Sequence, residues 1–305
     1  MAPRWDPLDL TSEAIREFEE MGTKEKHWVH LESTDEWWLV KLARLREGGG
    51  VLGEDWAEWL VHHLASALGV PTATVQPTKW AGARAIASLR VTSSEDDLVH
   101  GNSLLSGHNP NYNPNLDRQN PLYTPSAVAA ALTGVAAPDG FAGPSSLLGY
   151  DVWAGYLTLD AWVAGRDRHH QNWGIIRSGD HRHLSPSFDH GNALGFAEKE
   201  EKVVRLVQQP EALEKWLAKG ASHHFAGKPP LVDLALEALG LATPLASAYW
   251  TERLAAIDPV FVQDLVSEVP VSVMSAVRGT FIVHLLEANR RRLLDGYRTQ
   301  VSVGC

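Results

Sequence analysis

Short runs rich in branched and aromatic residues, bounded by turn formers, fill the first third of the chain and read as strands. His27–Leu31 and Glu36–Ala43 are two of them, the second built on Trp37, Trp38, Leu39 and Val40, with Ser33-Thr34-Asp35 as the turn between. The period then changes. In Glu54–Leu68 the apolar residues Trp56, Leu60, Leu64 and Leu68 recur at every fourth position, the buried stripe of a helix, and Gly69 and Pro71 stop it. Two more strand-like runs follow, Thr72–Trp80 and Arg84–Val91, split by Ala81-Gly82. The expected order is β-β-α-β-β, preceded by a short capped helix over Thr11–Met21 and interrupted by a flexible Gly48-Gly49-Gly50 loop.

Past residue 91 the pattern becomes mostly helical. Thr92–Asp97 is polar and turn-like, a hinge by composition, and the Asn- and Pro-rich Asn109–Tyr123 segment reads as an irregular ordered loop or a flap. Ser145–Gly165 carries a helical stripe of Trp153, Tyr156, Leu159 and Trp162/Val163. Trp173–Ile176 and His181–Leu184 read as two short strands around Ser178-Gly179-Asp180. Helical patterns recur over Lys199–Gln208, Glu211–Lys219, Leu231–Leu239, Pro244–Ile257 and Val271–Arg298.

Composition narrows the function classes. At 305 residues, 44% apolar and 21% charged, the chain is an ordinary globular protein with room for two cores. A net charge of −10 argues against a general nucleic-acid-binding surface. The single cysteine, Cys305, excludes an intramolecular disulfide and a thiolate zinc cluster, and suits a reducing cytoplasm. No apolar run approaches the ~20 residues of a membrane span, and the start of the chain lacks an apolar signal-peptide core. The expected location is cytoplasmic.

The chemistry concentrates in Asp167-Arg-His-His-Gln-Asn172 and in Asp189, one turn-back of the chain later. Any of these alone is a common turn former. Together they have the order that phosphoryl transfer from Mg-ATP requires. One Asp orients or deprotonates the attacking hydroxyl, while an Asn and a second Asp hold the metal on the phosphates. The spacing Asp-x-x-x-x-Asn is that of the protein-kinase catalytic loop. Asp167 is therefore the candidate base, with Asn172 and Asp189 as candidate Mg²⁺ ligands.

The phosphates also need a cation, and Lys41 ends the apolar run Trp37–Val40, where a charge would otherwise serve nothing. Glu54 and Glu58 lie one turn apart on the next helix, and Glu58, deeper in it, is the preferred partner of Lys41. No Gly-x-Gly-x-x-Gly loop precedes Lys41; Gly22-Thr23-Lys24-Glu25-Lys26 is the nearest candidate for a loop over the ATP phosphates. His169, His170, His181, His183 and His190 crowd around the Asp/Asn loop. A catalytic zinc is one reading, but His-Glu-x-x-His is absent, and neighbours such as His169-His170 point opposite ways from a regular strand. Loop bracing by hydrogen bonds is the preferred role, assigned to His169. A serine hydrolase would need a Gly-x-Ser-x-Gly elbow, which does not occur.

Several of these stretches resemble the HipA-like serine/threonine kinase family. They are Leu159–Gly174 around the catalytic loop, Leu184–Gly191 around Asp189, Trp38–Lys41 followed by Glu54–Gly69, Asp97–Leu105, and Lys219–Gly227. The resemblance implies an α+β, two-lobed kinase-like fold: a small β-rich N-lobe over 1–91, a hinge at 92–97 and a larger, mostly α-helical C-lobe over 98–305. It implies ATP and Mg²⁺ as cofactors, with Asp167 as base, Asn172 and Asp189 on the metal, Lys41 on the phosphates and Glu58 orienting it. The expected acceptor is a protein Ser/Thr hydroxyl; the alternatives are a lipid or small-molecule kinase and a nucleotide-binding pseudokinase that regulates a partner. An antitoxin-like partner is also implied, although full-length HipA toxins contact theirs partly through an extra N-terminal subdomain and only a short stretch precedes His27 here.

Overall fold

The computed structural model describes residues 2–10, 15–18 and 26–303. Strands β1 (Ile15–Phe18), β2 (Lys26–Leu31) and β3 (Glu36–Leu42) come first, then helix α1 (Glu54–Leu68), then β4 (Val75–Trp80) and β5 (Ala83–Leu89). They form an antiparallel sheet in the order β1-β2-β3-β5-β4. The β-β-α-β-β order read from the sequence is present. Within Thr11–Met21, where a helix is expected, the described residues Ile15–Phe18 are a strand that pairs with β2 through a bulge between Ile15 and Glu17. An isolated helix of that length is marginal, whereas the open edge of β2 offers the same backbone a ladder.

The two faces of this sheet have different jobs, and strand alternation assigns them. Val29, Leu31, Trp38, Val40, Ala85 and Ala87 point to one side, where Leu10 helps bury them. Leu39, Lys41 and Ser88, of opposite parity, line a cleft on the other side. Helix α1 packs on β4 and β5 and stops at Gly69, whose φ of 90° is the left-handed C-cap that glycine adopts without a Cβ penalty.

Residues 92–96 lead to β6 (Asp97–His100), α2 (Gly101–His108), α3 (Pro125–Ala131) and α4 (Gly149–Val163). The chain continues through β7 (Gly174–Ser178), β8 (His181–Leu184), α5 (Glu200–Gln208), α6 (Pro210–Ala218), α7 (Leu231–Leu241), α8 (Pro244–Ala255), α9 (Pro259–Ser267) and α10 (Ala276–Val303). β6, β7 and β8 make a small antiparallel sheet. Every residue of α4 is buried, its two carboxylates, Asp151 and Asp160, being hydrogen-bonded; α7, α8 and α10 pack on it. Two buried tryptophans of this core have satisfied N–H groups: Trp162 donates to Leu286 O at 3.1 Å and Trp250 to Asp151 O at 2.7 Å. The architecture is α+β and two-lobed, the small lobe built on the first sheet and the large one on α4. No helix among the described residues is long and apolar enough to cross a membrane.

Candidate functional site

Helix α4 ends with Ala164 in the left-handed region (φ 55°), so the turn out of it is made by Ala164 and not by Gly165. The loop that follows carries Asp167, Arg168, His169 and Asn172, and it is held from several sides. Buried Arg168 donates from Nε and Nη2 to Asp160 of α4 at 2.8 and 2.9 Å, and from Nη1 to the Asn172 carbonyl at 2.8 Å. Tyr123 donates its hydroxyl to Arg168 O at 3.0 Å and accepts from Trp173 Nε1 at 2.9 Å. The N-terminus of α2 donates to the loop: Gly101 N to Trp173 O at 2.9 Å and Asn102 N to His170 O at 2.8 Å. A Cβ at Gly101 would sit 2.7 Å from His170 O and closer still to the Trp173 ring, so only glycine admits this approach.

The β7–β8 hairpin returns the chain to the same end, and Asp189 follows with φ 61°, an unusual conformation for a non-glycine residue. Its segment is tied to the small lobe, because Ser187 donates to Pro71 O and accepts from Ala73 N, both at 2.9 Å. Lys41 Nζ lies 3.2 Å from Asp189 Oδ1 and 3.3 Å from Glu58 Oε1. Burial works against the Lys41 charge, but Asp189 and Glu58 outweigh it and hold the ammonium above its usual range. Glu54, the alternative partner, bonds Arg44 instead.

Asn172 donates from Nδ2 to Asp167 O at 2.7 Å, which leaves its amide oxygen as the atom it offers to a ligand. With the Asp189 carboxylate it makes a pair of hard oxygen donors suited to a small divalent cation. Leu39, Lys41, Asp167, His169, Asn172 and Asp189 all line one cleft of about 550 Å³ between the lobes. Gly22, Thr23 and Lys24 lie outside the described residues.

The hydrogen bond to the Asp167 carboxylate comes from His224, not from His169: Nε2 lies 3.0 Å from Oδ1, and Nδ1 lies 2.6 Å from Asp117 O. Burial would raise the Asp167 pKa; the His224 bond and the fields of His169 and His224 more than offset it and leave the carboxyl below its ordinary value. His169 accepts from Gln171 N at 3.1 Å, and burial lowers its pKa. His170 accepts from the Tyr112 hydroxyl at 2.6 Å and donates to Asp117 Oδ1 at 3.2 Å. The Asn109–Tyr123 segment is therefore an ordered loop clipped to the catalytic-type loop by two histidines. Its own turns are closed by asparagines: Asn109 and Asn113 each accept from the backbone N two residues on, at 3.0 Å.

Sequence reasoning missed His224 and Asp117. His224 sits in the Lys219–Gly227 stretch, but no local spacing connects it to a residue 57 positions away. Asp117 carried no signal at all.

No protein-family model matches the chain, and no curated protein matches it in sequence. Among solved structures, it is similar to the proinflammatory kinase CtkA of Helicobacter pylori, with a TM-score of 0.74 at 15% identity over 98% of this chain and 99% of that one. It is also similar to HipA of Shewanella oneidensis MR-1, from a toxin–antitoxin complex with HipB and operator DNA, with a TM-score of 0.51 at 14% identity over 97% of this chain and 70% of that one. This is a HipA-like kinase fold. In that fold, the cleft between the lobes is where the six residues above meet.

Proposed function

We propose that the chain is an ATP- and Mg²⁺-dependent phosphotransferase whose acceptor is a protein Ser/Thr hydroxyl. The observation that carries the reading is the convergence of Lys41 from the small lobe, backed by Glu58, with Asp167, Asn172 and Asp189 from the large lobe in one cleft. Lys41, held charged by Glu58, would bind the phosphates, and Asp189 with the Asn172 amide oxygen would hold Mg²⁺, which neutralises charge on the transferred group. Asp167, ionised and oriented by His224, would accept the proton of the attacking hydroxyl. Leu39, Leu89 and Leu98 make the same cleft apolar at one side, which suits an adenine ring. Rate enhancement would come from positioning and charge neutralisation, with no covalent intermediate on the protein.

The test is phosphate transfer from radiolabelled Mg-ATP to protein, inositide and small-molecule acceptors in parallel. Asp167→Ala is expected to abolish transfer while nucleotide binding persists. Full activity of that variant would refute the base assignment, and transfer only to a lipid or a small molecule would replace the protein acceptor. Binding of nucleotide without transfer to any acceptor, or to the chain itself, would favour the regulatory pseudokinase.

A further inference from the structure

The β7–β8 hairpin carries a second cluster with no part in the cleft. His181 and His183 are two apart on β8, so their side chains leave the same face of the strand. Their rings stack with centroids 5.3 Å apart. Asp139, from the loop between α3 and α4, reaches both: Oδ1 lies 3.7 Å from His181 Nε2 and Oδ2 lies 3.3 Å from His183 Nε2. All three potential ligand atoms fall within 4.8 Å of one another.

We infer that Asp139, His181 and His183 form a three-ligand site for a borderline transition-metal dication of the Zn²⁺ type, separate from the phosphate-transfer cleft. Three observations go beyond proximity. Bond lengths of about 2.0–2.1 Å in a tetrahedral zinc site put ligand atoms about 3.3–3.4 Å apart; Asp139 Oδ2 already stands 3.3 Å from His183 Nε2, and Oδ1 stands 3.7 Å from His181 Nε2. His183 Nδ1 lies 3.3 Å from the Leu184 carbonyl, which can only accept, and Nε2 is turned toward Asp139 Oδ2. Such an Nδ1 contact is the outer hydrogen bond that sets the tautomer of a metal-bound imidazole. Finally, the two segments are pinned together beside the cluster: Ala136 N donates to Arg182 O at 3.0 Å and Leu184 N to Ala136 O at 2.9 Å. The donors are brought together by the backbone ladder before any ion arrives.

The donor set also chooses the ion. Two imidazoles and one carboxylate suit Zn²⁺, Co²⁺ or Ni²⁺, whereas Mg²⁺ prefers oxygen ligands and its own water. The site closes the loop between α3 and α4 onto the hairpin that links Asn172 to Asp189. The fourth position is left to water or to a ligand from outside.

The experiment uses the full chain, free of any histidine tag, stripped with a chelator and titrated first with Co²⁺ and then with Zn²⁺. One equivalent of Co²⁺ is expected to give visible d–d bands, which Zn²⁺ abolishes and excess Mg²⁺ leaves unchanged. Asp139→Ala and His181→Gln alter exposed side chains (Asp139 74% and His181 55% exposed) and should fold normally. Each is expected to weaken Zn²⁺ binding by roughly tenfold or more, by loss of a ligand. Absence of one-equivalent binding, displacement by Mg²⁺, or unchanged affinity in both variants would overturn the site and leave the cluster an ordinary ion pair. Because the readout is binding, it is independent of kinase activity.

Discussion

Removing the Asp160 carboxylate gives the sharpest test of how the catalytic-type loop is held. Arg168 and Asp160 are almost wholly buried, with side chains 4% and 8% exposed, and share two hydrogen bonds of 2.8 and 2.9 Å. Burial opposes the Arg168 charge, Asp160 outweighs burial, and a guanidinium does not shed its proton in a protein. Asp160→Ala therefore strands a buried cation, which costs about 3–5 kcal/mol. That is a large part of the ~5–15 kcal/mol that holds a typical domain together. The paired replacement Asp160→Leu with Arg168→Met removes both charges. It should lose only the about 1–3 kcal/mol of an Asn172 carbonyl deprived of its donor. Urea unfolding followed by tryptophan fluorescence measures both, beside phosphate transfer. Stability should recover in the double variant while transfer stays low, because nothing then holds the Asn172 carbonyl that Arg168 Nη1 bonds at 2.8 Å. A loss below about 1 kcal/mol in Asp160→Ala would refute the stranded-charge reasoning. A double variant as unstable as the single would refute it as well.

Glu58→Gln keeps the side-chain shape and removes the charge beside Lys41. The loss of a charged hydrogen bond worth ~1.5–3 kcal/mol should lower kcat/KM for Mg-ATP by roughly tenfold or more; steady-state kinetics against ATP checks this, and an unchanged ratio removes Glu58 from the site. His224→Ala deletes the hydrogen bond that counters the burial of Asp167. Asp167 has a depressed pKa, so it is ionised above that value and protonated as pH falls through it. Without His224 its pKa rises, and the acid limb of the kcat/KM profile should move to higher pH. An acid limb that stays put would mean that another group limits the rate there.

Some elements were legible because their signals are local. The α1 stripe of Trp56, Leu60, Leu64 and Leu68 and its Gly69 stop needed nothing beyond the helix itself. Helices α3 and α9 had local signals too, Thr124-Pro125 and Asp258-Pro259, each cap side chain accepting from a first-turn backbone N–H. Helix α3 is short and alanine-rich and offers periodicity little to read, whereas α9 was legible from its cap and from Val262, Leu265 and Val266 at helical spacing and went unread. Helix α2 was hidden for a different reason. It starts at a glycine that propensity reads as a breaker, and that glycine is there because the catalytic-type loop passes within reach of it. Strand β1 depended on a partner edge, and no window over Thr11–Met21 contains that edge.

The site divides along the same line. Asp167, Asn172 and Asp189 could be read because a single loop and a single hairpin fix their relation, and the sequence prints both. Lys41 with Glu58 was readable one step further, from a charge placed at the end of an apolar strand followed by a helix with acidic residues a turn apart. What orients these groups was not readable. His224 reaches Asp167 across 57 residues, and Tyr112 reaches His170 across 58. Such contacts depend on how α4, the Asn109–Tyr123 loop and the segment after α6 pack, which is a property of the whole core. The histidine at 183 makes the same point in reverse. Its role could not be assigned while Asp139 was merely a residue 44 positions upstream. Once the Ala136 ladder brings that carboxylate alongside, the alternation of His181 and His183 on one strand becomes a ligand spacing.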